Sequence, residues 1–437
     1  MLRRKLAVLA TAFAGTTLAA LAGTALMVTT AQAAKPIKIG IIGPMAFVQG
    51  ENHWAGAQLA ADEINKTGGI KVGNEKRPIE LVKADSNEIQ SVPDSTNAME
   101  RVLTQDKVDF VIGGFRTEAV LAMQDTAMDY KKIFLGAGAA HDKLTLRVGE
   151  DYNRYKYWFQ VTPVKSSDLG KTMFAVFGTI AGQIRQELGK ETPKVAILAE
   201  KAVWVDGVVK AAQDNLPKMK MEVVGLWQPS PLATDVTAEL SAIRRAGADL
   251  IFTAVSGPVG IVLGRQMGEL QIPAIPFGIN VEAQKDGFWQ ATGGKGNYVA
   301  TLDTFGEGVE NTQYTAKFVS DFKQRFGKAP TYNAATYDAI QVLKTAIESA
   351  GTVEADKLIP VLEKTDLVGA AGRIVFDKNH APTFGPGYVT GIAVQWQDGK
   401  KVAFWPNNWN GVTYKGVQPF KIPSHMLAEK KDTKKGS

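Results

Sequence analysis

KIGIIGPMAFVQGENHWAGAQLAADEINKTGGI, residues 38–70, holds the element pattern on which the fold turns. It opens as a short apolar run, of the kind that suits a strand covered on both faces. After Pro44 the period changes. Ala57, Ala60, Ala61 and Ile64 fall at i, i+3, i+4 and i+7, the spacing of a buried helix face. Buried strand, loop and helix in that order begin a doubly wound parallel sheet.

The same unit recurs along the chain. IELVKAD (79–85), VDFVIGG (108–114) and KIFLGAG (132–138) continue the first series. VAILAE (195–200), EVVGLWQ (222–228), ADLIFTAVSG (248–257) and IPFGIN (275–280) make a second one, after a break near Thr162-Pro163-Val164-Lys165. Two series of alternating strands and helices read as two similar lobes. The remainder is not a third copy. YVATLDTF (298–305) leads into helical spacings at Phe318, Phe322 and Phe326, then at Ile340, Leu343 and Ile347, and RIVFD (373–377) adds a short strand. Near the end, YVTGIAVQWQ (388–397) and KKVAFW (400–405) flank Asp398-Gly399, a hairpin signal. The expected fold is α/β: two Rossmann-like doubly wound lobes joined by a multi-strand hinge. Residues 35–161 plus 303–378 form lobe 1, and 164–300 plus 384–422 form lobe 2. The chain returns to lobe 1 after about residue 302 and crosses again near 380.

The ends read differently. Arg3-Arg4-Lys5, an apolar stretch of 22 residues from Leu6 to Met27, and Ala31-Gln32-Ala33 are the three parts of a secretory signal peptide over 1–33. Residues 426–437 are polar and Lys-rich and read as a disordered tail. Removing 1–33 from the 437 residues leaves 404, enough for two domains. Of 50 basic and 44 acidic residues the leader holds three basic and no acidic ones, so the mature balance is +3. That near-neutral body demands no nucleic-acid partner. Cysteine is absent, which excludes disulfides and a lipoprotein anchor. The four histidines, His53, His141, His380 and His425, are scattered without metal-ligand spacing. No nucleophile elbow, P-loop or dinucleotide fingerprint occurs. The expectation is a protein that is not an enzyme and uses no cofactor and no metal.

KIGIIGPM…GAQLAADEINKTGGI (38–70), VDFVIGGFRTEAV (108–120) and TYNAATYDAIQVLKTAIESAG (331–351) resemble the branched-chain amino acid (Leu/Ile/Val-type) binding-protein family of ABC importers, whose fold is the type I periplasmic binding protein. The resemblance runs over nearly all of 35–425. It implies two lobes linked by three crossover strands, ligand capture by hinge closure, and a permease in the inner membrane as partner. It also implies a periplasmic monomer that delivers an amino acid or other small carboxylate. The alternative is a ligand-sensing receptor subunit of the same fold coupled to a signalling partner.

In open α/β sheets, ligands sit beyond the carboxyl ends of strands. Four loops follow from that rule. The first holds Phe47. The second, Gly113-Gly114-Phe115-Arg116-Thr117, has glycines for close backbone approach and a hydroxyl at a helix start. The resemblance makes Thr117 the residue that binds a carboxylate; the plainer reading is a helix cap. Arg116 is either a bidentate clamp or a surface arginine paired with Glu118, and Phe115 is either pocket or core. The third loop holds Ala139, Ala140 and His141 where the family has a Thr that grips amino acids. In lobe 2, Trp204 matches an aromatic residue that covers the ligand, and Ser256 is a polar candidate. Asn280 or Glu282 falls where the family has an acid for the ligand's ammonium. These departures favour a small carboxylate with an apolar or aromatic body over an α-amino acid.

The leader yields the first test. The exported protein is expected to begin at Ala34-Lys35-Pro36, read by N-terminal sequencing; a chain in the membrane fraction that still begins at Met1 is the contrary outcome.

Overall fold

The computed structural model describes residues 34–427. The leader over 1–33 and the tail from 428 lie outside the described residues. The tail's expected start does not hold: Met426 is buried, in a helical turn with His425.

Strands β1 (Ile37–Gly43), β2 (Ile79–Asp85), β3 (Phe110–Gly113), β4 (Phe134–Gly136) and β5 (Trp158–Gln160) pair in parallel in the order β2-β1-β3-β4-β5. Helix α1 (Val48–Lys66) follows β1, and α2 (Thr117–Asp129) follows β3. Three residues, WFQ, are too few to announce β5 by pattern. It is fixed by packing: Trp158 is fully buried, edge-on to Phe134 at 4.9 Å. Its indole fills the space beside Gly136, where a Cβ would come within 2.3 Å of it.

The second series forms its own parallel sheet. Strands β6 (Lys194–Ala199), β7 (Glu222–Trp227), β8 (Leu250–Val255) and β9 (Ile275–Asn280) lie in the order β7-β6-β8-β9. Counted from each sheet's own first strand, both begin 2-1-3-4, and the first adds a fifth strand beside the fourth. The molecule is thus two doubly wound lobes of one topology. The helix Ser166–Leu188 packs on the second sheet, with Phe177 5.2 Å from Phe252 and 5.3 Å from Phe277. Among the described residues no helix is long and apolar enough to cross a membrane.

A third, antiparallel sheet joins β10 (Ala300–Asp303), β11 (Ile392–Gln397) and β12 (Lys400–Trp405). Asp398 and Gly399 both have positive φ, 53° and 82°, as the two-residue hairpin turn requires. This sheet continues the second one, since the Asn280 amide at the end of β9 donates to Thr301 Oγ1 at 2.9 Å. Between β10 and β11 the chain lies against the first sheet's helices. The Thr336 hydroxyl, at the start of α3 (Thr336–Ala350), donates to the His53 carbonyl of α1 at 2.7 Å. Gly56 makes the approach possible; a Cβ there would meet the Ala334 carbonyl at 2.1 Å. The hairpin Asp366–Val368/Arg373–Val375 hangs on α3, because both Ala370 and Ala371 amides donate to the buried Asp338 carboxylate at 2.8 Å.

The glycines after β3 serve the chain and not a ligand, contrary to expectation. Neither lines the cleft described below. Gly113 has φ 128°, and a Cβ there would lie 2.0 Å from the Ile42 carbonyl of the neighbouring strand. Gly113→Ala combines backbone strain with that clash, so it should cost ~1–3 kcal/mol. An earlier midpoint in urea denaturation measures it; an unchanged midpoint would mean that the strand end relaxes freely.

Candidate functional site

Two sheets of order 2-1-3-4 each open a crevice where the connections from strands one and three diverge. In the first sheet that place is the carboxyl ends of β1 and β3, in the second those of β6 and β8. The ends of β3 and β4 in the first sheet and of β6, β8 and β9 in the second line one cleft, which holds about 680 Å³ of space, open solvent at its mouth included, whereas the loop after β1 does not reach it. Phe115, Arg116, Thr117, Gly138 and Ala140 come from the first sheet's loops. Trp204, Ser256, Ile279, Val281 and Gln284 come from the second's. Leu169, Leu302, Asp303 and Tyr332 also reach it.

The polar centre is a carboxylate that the sequence reading passed over. Glu200, the residue after β6, is fully buried. One oxygen accepts the amides of Ser256 and Gly257 at 2.8 and 2.9 Å. The other accepts the Trp204 indole N–H at 3.0 Å and the Ser256 hydroxyl, and faces Arg116 Nη1 at 3.3 Å. Arg116 arrives from the opposite sheet. Its Nε and Nη2 both donate to Glu118, at 3.0 and 2.8 Å. Both proposed readings of Arg116 need revision. It pairs with Glu118 but is buried, and its charge is met by two carboxylates of the chain itself before any ligand is considered. Behind it lies Glu88, which accepts the amides of Phe115 and Arg116 at 2.9 and 2.7 Å.

Thr117 opens α2 but does not cap it; the N-cap residue is Arg116, without a side-chain cap bond. The Thr117 hydroxyl is buried and has no hydrogen-bond partner. Of the candidates from sequence, Phe115, Arg116, Thr117, Trp204 and Ser256 come together in the cleft. Ala139 does not line it, although its neighbours Gly138 and Ala140 do. His141 turns to its own helix start, where Nδ1 accepts the Lys143 amide at 3.0 Å. Phe47 and Glu282 line a separate groove near the start of α1, where Glu282 pairs with Lys285. Asn280 is buried and occupied: Oδ1 accepts the Ala283 amide at 3.3 Å and Nδ2 donates to the Gly260 carbonyl at 3.0 Å. It caps the short turn Val281–Gln284, and so its neighbours Ile279 and Val281 present the wall.

Sequence reasoning missed Gln284, Asp303 and Tyr332. Asp303 and Tyr332 lie in stretches it had marked, 298–305 and 331–351, whereas Gln284 lies outside them, four residues past the strand that ends at Asn280. Asp303 is fully buried and held by Lys401 at 2.8 Å, with burial pushing its carboxyl up. Tyr332 donates its hydroxyl to the Gly138 carbonyl at 3.2 Å. Among the described residues, no three His, Cys, Asp or Glu side chains cluster as a metal would need.

The family model described as periplasmic binding protein matches residues 36–400. An amino acid binding protein of Pseudomonas aeruginosa is 25% identical over 362 residues, which cover 82% of this chain and 91% of that one. Leu/Ile/Val-binding protein homolog 8 of Brucella abortus is 24% identical over 403 residues, 85% of this chain and 91% of that one. Two solved structures share the fold. One is a solute-binding protein of an ABC transporter from R. palustris in complex with benzoate. It has 18% identity and a TM-score of 0.70, over 84% of this chain and 95% of that one. The other is the branched-chain amino acid transporter substrate-binding protein of Streptococcus pneumoniae in complex with isoleucine. It has 21% identity and a TM-score of 0.70, over 88% of this chain and all of that one.

The carboxylate behind the cleft makes stability depend on pH. Burial pushes Glu88 up to about 7 from the usual 4.5, against hydrogen bonds from Phe115, Ser86 and Arg116 that favour its charged form. A raised folded value means that the folded state keeps a proton the unfolded chain releases. The contribution of Glu88 to stability therefore falls as pH rises from about 4.5 to about 7, while His53, which burial lowers to about 4 from 6.5, contributes a rise between about 4 and 6.5. The Glu88 fall is on the order of 3 kcal/mol. Asp338, pushed up to about 6 by burial, adds a fall of the same sign in the lower part of that window. Glu88→Gln should flatten the upper part of the fall and be at least as stable as the parent at pH 7.5. Urea melts at pH 4.5, 6 and 7.5 measure this; parallel pH profiles for the two proteins would contradict it.

Proposed function

The chain belongs to the periplasmic binding protein family, and from that premise we propose that it is the extracytoplasmic substrate-binding protein of an ABC importer. In this reading it works in the periplasm as a monomer, captures a small carboxylate with an apolar or aromatic body between its lobes, and hands it unchanged to an inner-membrane permease. The observation that carries the ligand class is the Thr117 hydroxyl: buried, without a partner, in a cleft wall, and at the first residue of a 13-residue helix. A helix N-terminus offers free N–H groups and a positive dipole end, and an anion satisfies both. Apolar side chains supply the rest of the enclosure, with Phe115, Leu169, Trp204, Ile279 and Val281 in its walls. Arg116 keeps N–H groups beyond those given to Glu118 and Glu200, so it can donate hydrogen bonds to an anion, but the two carboxylates leave this group one negative charge in excess and the attraction rests on Thr117 and the helix start.

An α-amino acid fits less well. Its ammonium needs an anionic partner once buried. The wall at 279–281 is apolar, Asn280 is turned into its cap, and Asp303 already holds Lys401. Hinge closure is supported by the contacts from one sheet's loops to the other's: Arg116 to Glu200, and Gln49 Nε2 to the Ser256 carbonyl at 3.3 Å.

Isothermal titration with benzoate, leucine and the keto acid of leucine tests the reading. Benzoate or the keto acid should bind, and Thr117→Val should weaken that binding by ~1.5–3 kcal/mol, the scale of a hydrogen bond to a charged group. Tight binding of leucine alone would replace this ligand class with amino acids.

A further inference from the structure

Of the residues that line the cleft, two have a buried polar side-chain atom without a hydrogen-bond partner among the described residues: Thr117 at Oγ1 and Gln284 at Oε1. They belong to different sheets. Thr117 follows β3, whereas Gln284 ends the short turn after β9. We propose that Gln284 reads a neutral hydrogen-bond donor at the far end of the ligand. The solute is then a small carboxylate whose apolar or aromatic body carries a hydroxyl or amide N–H opposite the carboxylate. This rests on the carboxylate reading above and narrows it.

The polarity of the contact follows from how Gln284 is held. Its Nε2 donates to the Leu302 carbonyl at 2.8 Å, which fixes the amide orientation and leaves Oε1 as the free atom. Only an acceptor is therefore on offer, and a ligand acceptor placed there finds no donor from this side chain. The turn that carries Gln284 is itself pinned, by the Asn280 cap at its start. A rotamer change that exchanged Nε2 for Oε1 would leave the Leu302 carbonyl facing an oxygen.

The charge of the donor follows from what stands beside it. Lys401 Nζ donates to the backbone carbonyl of Gln284 and to Asp303 Oδ2, and both of these charged side chains are almost wholly buried, at 6% and 0% exposure. A ligand ammonium at this end would bring a second cation next to Lys401, with no unpaired carboxylate to meet it. Asp303 is shared already, with Lys401 on one oxygen and the Thr304 amide on the other at 2.7 Å. A neutral O–H or N–H meets the Gln284 oxygen without that repulsion. Removing one side of such a contact in a dry site is felt strongly, because the buried acceptor is left unpaired.

Benzoate, 4-methylbenzoate, 3-hydroxybenzoate and 4-hydroxybenzoate are the probes, each titrated against the whole mature chain and against Gln284→Met. The methyl and hydroxyl probes are close in size, so their ratio isolates the donor. The parent protein should bind one of the two hydroxybenzoates at least tenfold more tightly than 4-methylbenzoate. Gln284→Met should erase or reverse that ratio while keeping benzoate within a few-fold, with its urea midpoint confirming a folded variant. Equal binding of methyl and hydroxyl probes by the parent overturns the inference even if Gln284→Met does not fold. A preference that survives Gln284→Met overturns it as well. If no probe binds at all the inference is overturned, and if the keto acid of leucine does not bind either the carboxylate reading itself fails, an outcome distinct from a flat ranking.

Discussion

Glu200 accepts hydrogen bonds from five donors, and they come from three places in the chain: Ser256-Gly257 after β8, which gives two amides and a hydroxyl, the indole of Trp204 and the guanidinium of Arg116. A carboxylate with no exposed surface is stable only if its lone pairs are met, since burial of an ion costs several kcal/mol. The requirement runs in both directions. The donors stabilise the charge, and the charge fixes where the donors can be. The loop after β8, the orientation of Trp204 and the reach of Arg116 across the cleft are set by one side chain at the end of β6. Glu88 does the same for the loop after β3, by holding the amides of Phe115 and Arg116. The two buried acids thus hold the mouth of each sheet.

This arrangement changes what an arginine in a cleft means. A guanidinium beside an apolar pocket invites the reading of an anion clamp. Here Glu118 and Glu200 outweigh it by one negative charge, so under the proposed reading a preference for an anion has to come from neutral groups: the hydroxyl of Thr117 and the start of α2. Neutral donors in a dry site bind an anion by geometry more than by long-range attraction, and they suffer less from salt than a bare charge does.

The inner strands were legible because both faces of each are covered, which turns them into apolar runs; the edge strands β2 and β7 are only partly covered and keep charged residues within the run. IELVKAD and IPFGIN match their observed strands residue for residue. The hairpin at Asp398-Gly399 was legible because two consecutive positive φ values suit few other residue pairs. β5 was not, because its three residues owe their place to Trp158 and Gly136 packing together across the sheet. The cleft divides along the same line. Thr117, Trp204 and Ser256 are adjacent to strand ends and could be found by counting. Asn280 and Glu282 stand at such an end too, yet a short turn directs them away and presents Val281 and Gln284 instead. Period-two reasoning ends where the strand does, and a turn of four residues sends side chains where no period describes. Glu200 was hidden for a different reason: a lone acid after an apolar run looks like the first solvated residue of a loop, and only the fold shows its donors.

The contact from Arg116 to Glu200 also bears on movement. Parting the two sheets would return both charges to water, and that rehydration offsets most of the Coulomb attraction given up. Such a bridge contributes little net adhesion. Its geometry is narrow all the same, because Glu200 is immobilised by its other donors and Arg116 by Glu118. If the lobes part as proposed, a weak but geometrically strict contact of this kind acts as a mechanical stop: it lets the walls separate readily and fixes the depth at which they come to rest.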